Sequence, residues 1–188
     1  MENIYIKDDC NFYKNIKKYL NKNICIHFIY QEEDIIDNSE IEKYISVKNK
    51  IQIIHALNIK DLEKRYSYIY DVVCDYLDNE FQFKNICNFK NNQCISVRNQ
   101  GHCPNSKNGC CYGTNRGLCK NFQNGKCSIQ SISCKMFTCR YLKKNGIKYS
   151  CNDIDLLKYF FNIRQKYIIE NSIFKDKDEM IRLLLRYK

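Results

Sequence analysis

The chain has 188 residues, a net charge of +10, 13 cysteines, six glycines and one proline. This length fits one domain, or one domain with a large appendage. No run approaches the roughly 18 consecutive apolar residues of a membrane-spanning helix, and the first nine residues lack the basic and apolar regions of a secretory signal. We therefore expect no membrane segment and a cytoplasmic protein, whose thiols stay reduced.

Residues 1–86 contain apolar patterns of both helical and strand period, and predict a small α/β layer at the start of an α+β protein. Asp8 or Asp9 is expected to cap the first helix, and Ser39 and Glu42 have the spacing of a capping box. The predicted elements are a helix over 8–22, a strand over 24–30, a loop over 31–37, a short helix over 39–47, a strand over 50–57 and a helix over 59–79.

The helix over 59–79 has the clearest amphipathic pattern in this region. Its apolar stripe consists of Leu62, Tyr66, Ile69, Tyr70, Val73, Tyr76 and Leu77. Isolated thiols in regular elements are most often packing residues, and single histidines on strands are most often core or edge residues; we interpret them in that way here. The residues concerned are the thiols Cys10, Cys25 and Cys74, and the two histidines of the predicted strands, His27 and His55.

Residues 87–151 differ in composition from the rest of the chain. They hold every glycine, the only proline, and 11 Lys or Arg residues without a single Asp or Glu. Such a break predicts a separate, irregular and metal-organised unit, which follows an N-terminal region (1–86) and precedes C-terminal helices (152–188) that pack on the rest. The unit holds ten of the 13 cysteines: Cys87, Cys94, Cys103, Cys110, Cys111, Cys119, Cys127, Cys134, Cys139 and Cys151.

Clustered cysteines in a reducing compartment bind metal more often than they form disulfides. We therefore expect these ten cysteines to be metal ligands, and the alternative is the disulfide framework of a secreted protein. Glycines between the cysteines allow sharp turns of the chain, and a bound metal would offset the entropy lost in ordering such loops. Ten thiolates suffice for two four-cysteine centres, and His102, beside Cys103, could replace one of them.

The spacing of the cysteines restricts the kind of metal site. No C-x(2)-C occurs, which argues against zinc ribbons, RING and LIM domains and against the C-x(2)-C-x(2)-C run of bacterial ferredoxins. Cys110 and Cys111 are adjacent, which favours two neighbouring centres, or one ligand and one packing thiol. Both zinc and an iron–sulfur cluster are compatible with the pattern, and the absence of ferredoxin spacing favours zinc slightly.

A helix is predicted over 131–145, within the cysteine-rich unit. Cys134 would lie in its first turn, where backbone N–H groups stabilise a thiolate, and Phe137 and Tyr141 would pack together four residues apart. The end signals are Ser131 or Ser133 as N-cap, Lys143 and Lys144 in the last turn, and Gly146 at a left-handed C-terminal end.

Two more helices are predicted within residues 152–188. The first would be capped by Asn152 or Asp153, and the second begins with Asp176 and Glu179 at capping-box spacing. The apolar face of the first consists of Ile154, Leu157, Phe160, Phe161, Tyr167 and Ile168, and that of the second of Met180, Leu183, Leu184 and Tyr187.

The run GLCKNFQNGKCSIQSISCKMFTC, residues 117–139, resembles the bacterial YkgJ-type cysteine-cluster proteins, a family of zinc- or iron-chelating domains. The resemblance covers about residues 94–140 and implies zinc or iron bound by cysteines. Longer gaps separate the early cysteines than in the family, and Ile132-Ser133 stands where the family commonly has Arg-Pro. The segments that carry the resemblance are Cys110-Cys111, Cys119 to Phe122, Cys127-Ser128-Ile129, and Cys134 to Phe137.

The expected function is that of a cytoplasmic metal-binding protein with one or two cysteine-ligated centres in a structural or redox role. One alternative is a zinc-stabilised nucleic-acid-binding module, because the basic block suits nucleic acid or an acidic protein partner. Another is the subunit of an iron–sulfur-dependent enzyme. The sequence has no Ser/His/Asp order, phosphate-binding glycine loop or H-E-x-x-H motif, so it predicts no particular reaction.

Overall fold

The computed structural model describes residues 2–20, 22–29, 39–80, 86, 89–90, 93–94, 112–113, 117–118, 121–123 and 126–188. Only the backbone is described at 39–46, 89–90, 93–94, 112–113, 117–118, 122–123, 126 and 140–141. The loop predicted over 31–37 lies outside the described residues.

The described part of the chain is α+β, as predicted, with eight helices, one two-stranded parallel sheet and three short antiparallel pairs. No helix in this part is both long enough and apolar enough to cross a membrane. The elements are β1 (Asn3–Lys7), α1 (Phe12–Tyr19), β2 (Cys25–Ile29), α2 (Ser39–Asn58), α3 (Leu62–Asp78), β3 (Phe89–Lys90), β4 (Gln93–Cys94), β5 (Tyr112–Gly113), β6 (Gly117–Leu118), β7 (Phe122–Gln123), β8 (Lys126–Cys127), α4 (Ile132–Met136), α5 (Arg140–Lys144), α6 (Asp155–Phe160), α7 (Ile163–Asn171) and α8 (Lys177–Arg186).

The parallel sheet pairs β1 with β2, and α1 is the connection between them. Their register places Ile4 opposite Ile26 and Ile6 opposite Phe28. Ile6 and Ile26 are buried, so one face of the sheet packs on the core. The strand predicted over 24–30 is confirmed as β2. Strand β1 is not among the predicted elements, because five residues give a weak local signal and the pairing with β2 stabilises the strand.

Asn58, the last residue of α2, binds the edge of β2 that faces away from β1. Its Oδ1 accepts a hydrogen bond from the Ile26 N–H at 2.8 Å, and its Nδ2 donates to the Ile26 carbonyl at 2.7 Å. The Lys60 ammonium also donates to the carbonyl of Ile24. Side chains from α2 and from the turn after it therefore satisfy edge groups that a neighbouring strand would otherwise bind.

Helix α1 begins later than predicted and has a different N-cap. The N-cap residue is Asn11, whose side chain makes no capping bond, so the predicted cap by Asp8 or Asp9 is wrong. Asp9 instead accepts a hydrogen bond from the Asn11 N–H at 2.8 Å in the preceding turn, and Asp8 forms an ion pair with Lys50 of α2. Both carboxylates thus stabilise the connection into the helix rather than the first turn itself.

The short helix predicted over 39–47 and the strand predicted over 50–57 are one continuous helix, α2. The strand prediction is wrong because burial follows helical spacing, and Ile51 is 51 % exposed. No glycine or proline interrupts the segment, and packing on β2 and α3 outweighs the strand preference of its isoleucines. The buried residues of α2 are Val47, Ile53, Ile54, Ala56 and Leu57.

Helix α3 confirms the amphipathic helix predicted over 59–79. Its N-cap is Asp61, whose Oδ1 accepts a hydrogen bond from the Lys64 N–H at 2.8 Å. One member of the predicted stripe, Tyr76, is 39 % exposed, and Cys74 is buried in its place. The buried residues of the helix are Tyr66, Ile69, Tyr70, Val73, Cys74 and Leu77.

The helix predicted over 131–145 is divided into α4 and α5. Phe137, the C-cap of α4, has an extended backbone with ψ of 115° and is 40 % exposed. Phe137 and Tyr141 therefore do not lie on one helix, and their predicted helical pairing is wrong. The break separates the two cysteines of this segment, since Cys134 lies within α4 and Cys139 lies in the connection to α5.

The predicted end signals of this segment are confirmed. Ser131 is the N-cap of α4, and its Oγ accepts a hydrogen bond from the Cys134 N–H at 3.5 Å. Lys143 and Lys144 lie in the last turn of α5. Gly146 has a positive φ of 76°, the left-handed conformation that glycine adopts most readily, and it ends the helical segment.

Residues 152–188, all of which are described, form three helices rather than two. The first predicted helix ends at Phe160, and Phe161 has an extended backbone. Asn162 is the N-cap of α7 and forms a capping box with Gln165. The Gln165 N–H donates to Asn162 Oδ1, and the Asn162 N–H donates to Gln165 Oε1, both at 3.0 Å. Tyr167, which the sequence places on the apolar face of a single helix, is therefore 68 % exposed.

The predicted N-cap is wrong for α6 and is confirmed for α8. Helix α6 begins at Ile154 without a side-chain cap, so the prediction of Asn152 or Asp153 as its cap is wrong. Helix α8 is capped as predicted, since Asp176 Oδ1 accepts from the Glu179 N–H at 2.8 Å. The buried residues of α8 are Met180, Ile181 and Leu184, whereas Leu183 is half-buried and Tyr187 is exposed.

A single cluster of buried residues joins the N-terminal layer to the C-terminal helices. It includes residues of β1, β2, α1–α4 and α6–α8. Polar contacts reinforce the packing, since Gln165 Nε2 donates to the Tyr66 hydroxyl and to the Leu184 carbonyl, both at 2.9 Å. The Ile132 N–H of α4 donates to the Tyr70 hydroxyl of α3 at 3.0 Å. The domain boundaries expected at 87 and 151 stay predictions.

Candidate metal site

The ten cysteines predicted as ligands divide into three groups in the structure. Cys94 is the last residue of β4, with its backbone described. Cys127, Cys134, Cys139 and Cys151 have described side chains. The remaining members, and the alternative ligand His102, lie outside the described residues: Cys87, Cys103, Cys110, Cys111 and Cys119.

Three short β-hairpins end at, or directly beside, predicted ligands. In β3–β4, Phe89 pairs with Cys94, and in β7–β8, Phe122 pairs with Cys127. In β5–β6, Tyr112 pairs with Leu118, and these two residues are the sequence neighbours of Cys111 and Cys119. Antiparallel pairing fixes the backbone at these ends to about 4.5–5.5 Å between paired Cα atoms. Two predicted ligands, Cys94 and Cys127, therefore have paired backbone positions.

These hairpins are absent from the sequence prediction, although one local signal for them exists. Asn124 and Gly125 separate β7 from β8, and Asn-Gly is the commonest sequence of a two-residue hairpin loop. The described end of this hairpin is closed by the Ser128 N–H, which donates to the Asn121 carbonyl at 2.8 Å. Cysteine spacing alone does not reveal such pairs, because it contains no information on which residues between the cysteines are extended.

Cys134 accepts a backbone hydrogen bond at its sulfur. It is the third residue of α4, partly buried, and its own N–H is bonded to the Ser131 cap. The Phe174 N–H donates to Cys134 Sγ at 3.2 Å. Phe174 has a φ of 68°, which a non-glycine residue adopts only at a cost in energy, and this conformation accompanies the contact of its N–H with the sulfur. A thiolate accepts such a bond more strongly than a neutral thiol does.

Cys127 and Cys139 are partly buried as well. Cys127 ends the third hairpin, and Cys139 immediately precedes α5, where its carbonyl accepts from the Lys143 N–H at 3.0 Å. Within the described part of the chain, no three His, Cys, Asp or Glu side chains lie together in a group that could hold a metal ion.

Cys151 lies in different surroundings from Cys134. It is fully buried among the apolar residues of the core, and its thiol donates a weak hydrogen bond to the Lys166 carbonyl, with 3.7 Å between sulfur and oxygen. Burial, followed by the negative charge of Glu170, raises the pKa of the Cys151 thiol above its usual range. The Cys151 N–H also donates to Glu170 Oε1 at 2.8 Å. These contacts favour a protonated packing thiol at this position.

The three cysteines outside the predicted site differ from one another. Cys74 is buried, as predicted for a packing thiol, and burial raises its pKa to about 12. Cys25 is half-buried in β2. Cys10 is exposed, so its predicted packing role is wrong; it lies in the turn before α1, where no apolar residue covers it.

The two described histidines lie outside the cysteine-rich unit. His27 is exposed on β2, where it stacks on Tyr5 with 4.9 Å between ring centroids. His55 lies on α2 rather than on a strand and is exposed, which corrects its predicted position; its ring contacts that of Tyr68 at 4.5 Å. Neither packs in the core; His27 has the predicted edge position, since it is exposed on a strand of a two-stranded sheet.

One positive charge of residues 87–151 is paired with a carboxylate within the protein. Lys135 of α4 is 8 % exposed and forms an ion pair with Asp78 at the end of α3. The N-terminal region thus provides a carboxylate for a unit that has none of its own. Because a buried ammonium without a partner is costly, this pair helps to fix α4, and with it Cys134, on α3.

No protein-family model, curated protein or solved structure matches this chain. The resemblance of residues 94–140 to the YkgJ-type proteins therefore stays a prediction from the residues that carry it.

Proposed function

We propose that the chain is a cytoplasmic metal-binding protein, in which cysteines of residues 87–139 bind one or two metal centres in a structural or redox role. The observation that carries this proposal is the environment of Cys134. Its partly buried sulfur accepts an N–H from Phe174 at 3.2 Å, the kind of backbone donor that commonly supports a metal-bound thiolate.

The three hairpins support the same proposal. Metal-binding loops need cysteines held at fixed positions at the ends of short turns, and each hairpin has a cysteine at or next to its paired ends. Hairpins of two residue pairs are too short to be stable alone in water. A bound metal that joins several of them would supply the missing stabilisation.

The spacing of the cysteines favours zinc slightly over iron–sulfur. All the proposed ligands are thiolates, and four of them suffice for either a zinc ion or an iron–sulfur cluster. Bacterial ferredoxin clusters use closely spaced cysteines that this chain lacks. Zinc or iron–sulfur is also what the resemblance to the YkgJ-type proteins implies. In either case, the metal would supply stability, and an iron–sulfur cluster would add electron transfer.

The contrast between Cys134 and Cys151 provides the experiment. We expect Cys134→Ala to lower the metal content of the anaerobically purified full-length protein to half or less, because a four-coordinate site rarely retains its metal with three ligands. Cys151→Ala is the matched control, and we expect it to keep the wild-type metal content, since its thiol is protonated within the apolar core. Equal metal content in wild type and Cys134→Ala would contradict the proposal for this residue.

A further inference from the structure

A cleft lies between the start of α7 and the end of α8, on a part of the protein that the proposed metal site does not use. Its volume is about 610 Å³, within the range of roughly 300–1,000 Å³ typical of ligand sites. The two walls are joined by Asn162 Nδ2, which donates to the Tyr187 carbonyl at 2.7 Å. Gln165 fixes the same two helices from inside through its bond to the Leu184 carbonyl.

The lining of the cleft is strongly basic. Arg164 and Lys166 of α7 line it, as do Arg186, the last residue of α8, and Lys188. No Asp or Glu lines the cleft. None of these four cations forms an ion pair with a carboxylate in the described residues, where the pairs found involve Lys50, Lys135, Lys175 and Lys177. Lys166 Nζ donates to the neutral Asn152 Oδ1 at 2.9 Å, which leaves its charge in place. Four cations without a carboxylate partner around one depression attract an anionic ligand.

Exposed apolar and aromatic side chains lie among these cations. Ile163 is 86 % exposed and Tyr187 is 43 % exposed, and both line the cleft. Tyr167 is 68 % exposed, one turn further along α7 from Ile163. Ile163 and Tyr187 therefore add exposed apolar surface to the basic lining, which suits a ligand that has both negative charge and an apolar or aromatic part.

We propose that this cleft binds single-stranded nucleic acid. Phosphates would contact the guanidinium groups of Arg164 and Arg186, whose planar donors suit phosphate oxygens, and a base would stack on Tyr187. A peptide of acidic residues alone would satisfy the cations but has no ring to stack on Tyr187, whereas each nucleotide has both a phosphate and a base, which is why we favour nucleic acid. The net charge of +10 acts in the same direction over a longer range.

The test is fluorescence anisotropy of the full-length protein with labelled ten-nucleotide oligo-dT and oligo-U. We expect binding whose affinity falls with salt with a log–log slope near −3, about 0.7 for each of four phosphate contacts. Arg164→Glu combined with Arg186→Glu should weaken binding at least tenfold and reduce the slope. Tyr187→Ala should weaken it roughly tenfold, the size of one base-stacking contact, with little change in slope.

The control carries the same charge change outside the cleft: Lys14→Glu combined with Arg182→Glu, at two exposed positions. We expect it to weaken binding by no more than about threefold. The proposal is overturned if both double variants lose equal affinity, since binding would then follow total charge. It is also overturned if a ten-residue poly-glutamate binds as tightly as the oligonucleotides. If the charge-reversed variant fails to fold, Arg164→Gln with Arg186→Gln gives the same comparison.

Discussion

The side chain of Asn58 takes the place of a neighbouring strand at the free edge of β2. Its amide binds both the N–H and the carbonyl of Ile26 at the edge of β2. We expect Asn58→Ala to lower the free energy of unfolding by about 1–3 kcal/mol, because both backbone groups lose their partner at a partly buried position. Urea-induced unfolding followed by circular dichroism measures this change.

Asn171→Ala is the matched control for Asn58→Ala. Each asparagine is the last residue of its helix, and Asn171 Nδ2 donates to the Tyr167 carbonyl at 2.8 Å. That bond is exposed, so water can replace it, and we expect a change within about 0.5 kcal/mol. If the two substitutions had the same effect, the side chain of Asn58 would not act as a substitute for a neighbouring strand.

Two cysteines show how far residue type alone predicts chemistry. The sequence predicts Cys134 and Cys151 as equivalent metal ligands. In the structure, one sulfur accepts an N–H from Phe174 and the other donates to the Lys166 carbonyl within the core. The difference arises from contacts with α7 and with the residues before α8, more than 12 positions away, and no local pattern around either cysteine contains it.

Helix α2 provides the prediction at the scale of the element. Ile51 lies in the interior of this helix and is 51 % exposed. We expect Ile51→Pro to lower the free energy of unfolding by about 3 kcal/mol or more, because proline removes a helical hydrogen bond and clashes with the preceding turn. Ile51→Ala, the control, should cost less than about 1 kcal/mol, since alanine favours the helix. Thermal or urea unfolding measures both, and similar costs for the two would contradict a continuous helix.

The elements that the sequence predicts well are those with local end signals. Ser131, Asp176 and Gly146 mark helix ends, and each has that role in the structure. The helix break at Phe137 lacks such a signal, whereas the break at Phe161 has one that the prediction missed, the capping-box spacing of Asn162 and Gln165. At Phe137, packing of neighbouring helices determines where the chain turns, and packing is not readable from a short window of sequence.

For the whole molecule, the core that joins the N-terminal layer to the C-terminal helices makes stability depend on pH. Burial raises the pKa of Cys74 from 9.0 to about 12, so the folded chain holds this proton more tightly than the unfolded chain does. Its contribution to stability is complete below about pH 9 and is lost as the pH rises towards 12, at up to about 1.4 kcal/mol per pH unit. The raised pKa values of Cys151 and Tyr149 act in the same direction.

Urea unfolding at several pH values between 7 and 11 measures this dependence. We expect the free energy of unfolding of the wild type to fall above pH 9, and that of Cys74→Ala to fall less steeply, because one of the contributing protons is absent. The comparison concerns the slopes, so a uniform loss of stability in the variant does not affect it. Parallel slopes for the two proteins would contradict a strongly raised pKa of Cys74.

The α+β class, most helices and the concentration of cysteines could be predicted from the sequence. The ligand set could not, because it depends on how separate turns approach one another. Among the described cysteines of the unit, Cys127, Cys134 and Cys139 are partly buried and Cys151 lies in the core. The basic cleft between α7 and α8 was also not predictable, since Arg164 and Arg186 are 22 positions apart in sequence and only the packing of the two helices brings them together.

Whether the cysteines bind metal is decided by the metal content of wild-type protein purified without oxygen, measured by elemental mass spectrometry and visible absorption. We predict one or two equivalents of metal per chain that persist through gel filtration. A colourless protein with zinc, rather than one with the absorption of an iron–sulfur cluster, is the expected form. A folded protein without metal, or one whose cysteines between 87 and 139 are joined in disulfides, would contradict the account.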